Sequence, residues 1–172
     1  MWRKFYLYCI AFLFSISGSS ATEAILTLVP NASVVGRGKL SYIFWDIYEA
    51  TLYAPNRQWN PTKPFALLIK YYQEIDASDI ANITVQERHK QGFTDEEKLA
   101  AWNAEIRAFL PNIKDGTVLS AACPLGKQTI LYQGNQMIGL IKDDKFARLF
   151  FGIWLGERTS EPELRRAVLG VL

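Results

Sequence analysis

Two hydrophobic periods alternate along the chain. Between residues 24 and 72, β-branched and aromatic residues are dense and broken by turn formers: Pro30-Asn31, Gly36, Gly38, Pro55-Asn56, Pro61 and Pro64. This predicts strands near residues 25–29, 33–44, 47–54 and 65–72. In the third, a period of two places Tyr48, Ala50 and Leu52 on one face and Ile47, Glu49, Thr51 and Tyr53 on the other. The middle of the chain changes to helical spacing. Thr84 with Glu87 fits a capping box with Gly92 as the stop, and Thr94 with Glu97 fits another. The second opens a helix whose Leu99, Trp102, Ile106, Phe109 and Leu110 recur on one stripe until Pro111. Strands resume at 117–122 and 128–133, and Gly134-Asn135 suits a tight turn into 137–141. Two helices follow. Asp143 or Asp144 caps one carrying Phe146, Leu149, Phe150, Ile153 and Trp154. Ser160, Pro162 and Glu163 open another carrying Leu164, Val168 and Leu169.

Strands, helices, strands, helices is the order of an α+β fold rather than of a doubly wound parallel sheet. The expectation is an open-faced sandwich, a large, mostly antiparallel sheet covered on one face by helices. At 172 residues, 49% hydrophobic and 21% charged, the chain is globular in composition and sized for one domain.

Residues 1–21 change that picture. Arg3 and Lys4 precede an apolar run from Phe5 to Phe14, and Ser15 to Ala21 are small and polar. This is the order of a secretory signal peptide cut after Ala21, leaving a domain of residues 22–172. The apolar run is shorter than the roughly 20 residues that span a bilayer, so no integral span is expected after cleavage. Export, to the periplasm in a Gram-negative host, follows. Removing Arg3 and Lys4 lowers Lys+Arg from 19 to 17, equal to Asp+Glu, so the mature domain is formally neutral; a basic surface for nucleic acid or anionic lipid is not indicated, and nucleic acid is not an expected partner. Cleavage also removes Cys9, leaving Cys123 in an apolar stretch as a buried, inert thiol.

The one histidine, His89, restricts the chemistry further. No two-histidine zinc site can be built, no Gly-x-Ser-x-Gly elbow is present, and Gly36-Arg37-Gly38 lacks the third glycine and the helix of a dinucleotide loop. His89 lies in Glu87-Arg88-His89-Lys90, which reads as a solvated helix face. Asp76 with Asp79, and Asp143-Asp144, read as helix caps rather than metal ligands; no metal or cofactor is expected. What remains is a concentration of aromatic residues beside cations: Arg37, Lys39, Tyr42, Phe44, Trp45, Tyr48, Tyr53, Lys70, Tyr71 and Tyr72. One reading is cross-strand packing with the cationic heads in water. The other is an apolar cleft in which a cation and phenols hold the acidic head of a hydrophobic ligand, with Arg37, Tyr48, Lys70 and Tyr71 as ligand contacts.

Several segments in order resemble the chalcone isomerase-like superfamily, its exported bacterial branch in particular. They are Gly36-Arg37-Gly38-Lys39-Leu40, the run from Asp46 to Pro55, Phe65-Ala66-Leu67 with Tyr71, Pro111 to Gly116, Asn135 with Gly139, and the tail from Phe146 through Trp154-Leu155 to Leu164-Arg165. The resemblance implies the same open-faced sandwich. It implies either an isomerase that holds developing negative charge with an Arg, or a fatty-acid-binding protein. Arg37-Gly38 is similar to the catalytic Arg-Gly pair of the plant enzymes, whose Thr falls near Tyr48 here. Tyr48 cannot supply that small hydroxyl, so flavonoid cyclisation is not expected.

The function expected from the sequence is therefore binding of a small, mostly apolar or amphipathic ligand such as a fatty acid. Two alternatives stand beside it. One is an isomerase or lyase acting on an enone-like substrate, with Arg37 as oxyanion holder and Tyr48 or Tyr53 as proton donor or water positioner. The other is an envelope interaction protein whose cleft is filled by its own side chains.

Overall fold

Six antiparallel strands pair in the order in which they occur in the chain: β1 (Ala32–Tyr42), β2 (Trp45–Pro55), β3 (Phe65–Tyr71), β4 (Val118–Cys123), β5 (Thr129–Gln133) and β6 (Gln136–Ile141). The structure, a computed structural model, describes residues 20–171, so most of the predicted signal segment lies outside the described residues. Among the described residues five α-helices and a short 3-10 turn, Pro124–Gly126, complete it: α1 (Ser20–Leu28), α2 (Ala77–Lys90), α3 (Glu96–Phe109), α4 (Asp144–Leu155) and α5 (Pro162–Val168). The α+β open-faced sandwich read from the periodicity is the observed architecture.

The side-chain alternation decides what each sheet face does. Leu52, Leu67, Ala121 and Leu131 stand in one cross-strand row, and Ala50, Ile69 and Leu119 in the next. All belong to the main core, where α2 to α5 cover them with Ala81, Leu99, Ile106, Phe146, Phe151 and Leu164. Burying each such side chain contributes about 1.5–3 kcal/mol, which ties the helical layer to this face.

The opposite face carries a smaller cluster and a correction. The segment predicted as a strand at 25–29 belongs to α1 as far as Leu28, and Val29 follows directly, its amide donating to the Ile25 carbonyl at 2.9 Å. The segment's β-branched residues obscured a helical spacing, because Ile25 and Val29, four apart, are both fully buried. They pack with Ala66 and Ala122, small residues that let the helix come close to the sheet.

Three capping assignments also move. Ser160 does not cap α5, whose first flanking residue is Glu161; its hydroxyl donates instead to the Glu87 carboxylate at 2.8 Å, a distant partner that local spacing could not show. Thr84 lies in the middle of α2 rather than at its start, and its hydroxyl donates back to the Ile80 carbonyl at 2.7 Å. The helix begins after Asp76, where the Asn112 side chain accepts from the Ala77 amide at 3.1 Å. In α3 the cap is Asp95, one residue beyond Thr94, accepting from Lys98 N at 3.0 Å. Asp143 caps α4 as expected, through Lys145 N and Phe146 N. On that helix Phe151 and Leu155, absent from the predicted stripe, are buried, whereas Trp154 is half-buried.

Gly36 and Gly38 point toward the helical layer beneath α5. A Cβ on Gly36 would lie 2.3 Å from the Ala167 carbonyl oxygen, and one on Gly38 would lie 2.7 Å from Leu164 Cδ1. The glycines of the Gly-Arg-Gly segment thus let α5 rest directly on β1.

Candidate ligand-binding site

Between the core face of the sheet and helices α2, α3 and α4 lies an apolar cavity of about 40 Å³. That is roughly three times the least volume that admits one water-sized sphere. β3 contributes Leu67, Ile69 and Tyr71, and the helices contribute Thr84, Ile106, Phe150 and Trp154 among others.

Two phenols mark one side. The Trp154 indole donates to the Tyr48 hydroxyl at 3.1 Å, and the Tyr48 and Tyr71 rings meet edge on at 5.9 Å. Burial pushes the Tyr48 phenol up to about 12, partly offset by the Trp154 bond, and burial raises Tyr71 as well. Both are neutral near pH 7, so they offer hydrogen bonds rather than a base.

Arg88 is the unusual group. One helical turn separates it from Thr84 on α2, as one turn separates Trp102 from Ile106 on α3 and Phe146 from Phe150 on α4. Those three residues meet just beyond the cavity. The guanidinium lies 4.6 Å from the Phe146 ring centre and 5.5 Å from that of Trp102, while Phe146 stacks on Phe150 at 5.5 Å. Arg88 is fully buried, and among the described residues none of its three guanidinium nitrogens has a hydrogen-bond partner. Its acidic neighbour Glu87 is engaged elsewhere, accepting from Lys90 at 2.7 Å and from Ser160 at 2.8 Å. Burial lowers the Arg88 pKa to about 10, which still leaves a positive charge at neutral pH. Aromatic faces attract such a charge but do not satisfy its donors.

The candidates read from the sequence divide between the two faces. Tyr48 and Tyr71 pair across β2 and β3 on the helix-covered face. Arg37, Tyr53 and Lys70 occupy the other: Arg37 pairs with Thr51, Thr51 with Leu68, and Lys70 with Glu49. Arg37 and Lys70 are exposed there, and Tyr53 packs in the α1 cluster. The structure therefore does not bring Arg37 and Tyr48 together. Arg88 was overlooked because its charged neighbours read as a solvated face, although only His89 and Lys90 of the four are exposed. The signal available was its spacing, four residues from Thr84 and eight from Ile80.

A sequence model described as chalcone isomerase-like matches residues 23–170. The chain belongs to the chalcone isomerase-like family. Its fold is shared with a family-sized structural neighbour, the crystal structure of a fatty-acid binding protein from Arabidopsis thaliana. The TM-score is 0.63 at 13% identity, over 82% of this chain and 88% of that one. At that identity the likeness is one of fold. No curated protein sequence matches. Among the described residues of this chalcone isomerase-like chain, no group of His, Cys, Asp and Glu is placed to hold a metal ion. No described helix is long and apolar enough to cross a membrane.

Proposed function

We propose that the protein binds a small, mostly apolar ligand with an acidic head, a fatty acid or similar, and does not cyclise flavonoids. The observation that carries this reading is the buried Arg88 guanidinium, positive and without a hydrogen-bond partner, one helical turn beyond an apolar cavity. An isolated buried cation is costly, and a carboxylate entering along the cavity would offset that cost. The fatty-acid binding neighbour of the same fold supports the same class of ligand. Room for the chain comes from side-chain movement. A second cavity of about 110 Å³, bordered by Trp59, Phe65 and Phe151, lies on the other side of α4's neighbouring Phe150 and Phe151 rings, which meet at 5.3 Å.

The test is titration with a fluorescent polyene fatty acid and with its methyl ester. A charged hydrogen bond contributes about 1.5–3 kcal/mol, so the acid should bind at least about tenfold more tightly than the ester. Arg88→Met should erase that preference and keep the ester affinity, because the apolar stem remains and a desolvated charge is gone. Equal binding of acid and ester by the unaltered protein would remove Arg88 from the site. Binding of neither would favour an interaction protein with a filled cleft, the reading that the 40 Å³ volume supports.

Export belongs to this proposal, as a member of the exported bacterial branch cut after Ala21. Such a cut would leave Ile25 of α1 and Val29 just after it, both buried, in the mature chain. Protein recovered from a secreting host should have an intact mass lacking residues 1–21; a retained Met1 would count against export in processed form.

A further inference from the structure

The β1–β2 hairpin ends in a run of large apolar residues that no element among the described residues covers. Tyr42 is 71% exposed, Ile43 72%, Phe44 94% and Trp45 65%. The hairpin also outruns its neighbour. β1 and β2 remain paired as far as Tyr42 and Trp45, whereas the β2–β3 ladder ends at Tyr48 and Tyr71. Beyond it, the segment after β3 reaches β2 through the Tyr72 amide on the Ile47 carbonyl and the Gln73 side chain on the Asp46 carbonyl. From residue 45 outward the hairpin has no such neighbour among the described residues.

Folding does not explain the residues chosen. Ile43 adopts φ 57°, a left-handed conformation in which a β-branched side chain is strained and Gly or Asn is at ease. A turn selected for stability alone would not place an exposed isoleucine there, and backbone strain of this kind collects at functional positions. The order of polarity is also informative. Tyr42 and Trp45, whose rings carry a polar edge, pair at the base, and the purely hydrocarbon Ile43 and Phe44 form the apex. That sequence matches the passage from headgroups to acyl chains, with Trp and Tyr at the interface. The sheet face behind the tip carries Arg37, Lys39 and Lys70 against Asp46 and Glu49, and Asp46 is already paired with Lys39 at 2.7 Å. Lys39 and Lys70 flank the Tyr72 ring at 5.5 and 5.6 Å.

We infer that this hairpin tip inserts into the surface of a lipid bilayer bearing anionic headgroups, with Ile43 and Phe44 among the acyl chains and Lys70, the lysine that Asp46 does not hold, at the phosphates. A convex, narrow tip finds its apolar surroundings in a fluid bilayer without a preformed pocket. The inference is independent of what the cleft binds.

The experiment is vesicle flotation of the full chain, using phosphatidylcholine vesicles with and without one quarter phosphatidylglycerol. The unaltered protein should float with the anionic vesicles, and Phe44→Asp should reduce the bound fraction at least tenfold with an unchanged melting temperature. Both proteins carry the same residues 1–21, so the difference between them reports on the tip alone. Brominated lipid should quench fluorescence that disappears in Trp45→Phe, which places the contact at the hairpin. Ile43→Gly relieves the strained turn; it should melt no lower than the unaltered protein and still bind vesicles more weakly. A purely structural turn would show the opposite pattern. Equal flotation of Phe44→Asp would overturn the inference. So would a dimer that Phe44→Asp dissociates in the absence of vesicle binding, which would assign the tip to a second copy of the chain.

Discussion

Replacing Phe146 by Ala should lower the unfolding free energy by about 3–5 kcal/mol, the usual cost of emptying a large aromatic site. Phe146 is fully buried, meets Trp102 edge on at 5.5 Å, stacks on Phe150 at the same distance, and presents its ring to the Arg88 guanidinium. Its loss removes core volume and one of the two aromatic faces that hold a buried charge, a contact worth up to about 2 kcal/mol when desolvated. Against a total stability of about 5–15 kcal/mol, the variant should unfold at a much lower urea midpoint. The two effects can be separated by combination. In an Arg88→Met background the charge is absent, so Phe146→Ala should cost measurably less than in the unaltered protein. A fall below about 1 kcal/mol in the single variant would mean that the cluster is not packed as described.

Gly36→Ala should be nearly as damaging although it adds only a methyl group. The three nearest atoms to the new Cβ are all backbone: the Ala167 oxygen at 2.3 Å, and the Gly170 nitrogen and Val168 oxygen at 2.6 Å. No rotamer change relieves them, so α5 must lift from β1 and loosen the buried Leu164 and Val168. The cost should reach about 3 kcal/mol, the upper end of the ordinary range for overpacking. Gly38→Ala is the internal comparison, because only its nearest neighbour, the end of the Leu164 side chain at 2.7 Å, is closer than 3.0 Å; the Leu164 oxygen and Ala167 Cβ, at 3.0 and 3.1 Å, need give only a few tenths of an ångström. Its cost should stay near 1 kcal/mol. Urea midpoints give the order, and limited proteolysis should show cleavage concentrated around residues 160–170 in Gly36→Ala. Identical midpoints for Gly36→Ala and the unaltered protein would contradict the seating of α5.

What could be read from the sequence depended on how local the cause was. β2 to β6 were legible because a period of two and flanking turn residues act within a few positions. The Gly134-Asn135 turn is the clearest case, with Gly134 at φ 58° between β5 and β6. α1 was lost because Ile25 and Val29 satisfy a strand by type and a helix by spacing, and only contact with Ala66 and Ala122 decides between them. Arg37 drew attention as a cation between glycines, yet the glycines serve α5, far along the chain, and the alternation of β1 turns Arg37 to the other face. Arg88 shows the converse. Its neighbours are charged, so local composition points to water, while the faces of α3 and α4 that enclose it lie beyond local reach.

The seating of α5 on β1 also sets the order of events during synthesis. β1 to β3 emerge early as a meander with short connections, a topology that pairs quickly. Their inner face stays uncovered until α2 to α4 have followed, and Gly36 and Gly38 receive their cover only when residues 162–168 have left the ribosome. Throughout that interval the nascent chain displays a half-finished sheet with apolar side chains, the kind of species that aggregates or calls on chaperones. Completion of the core is thus postponed to the arrival of a single seven-residue helix, and a chain stopped before it should be cleared by quality control rather than accumulate.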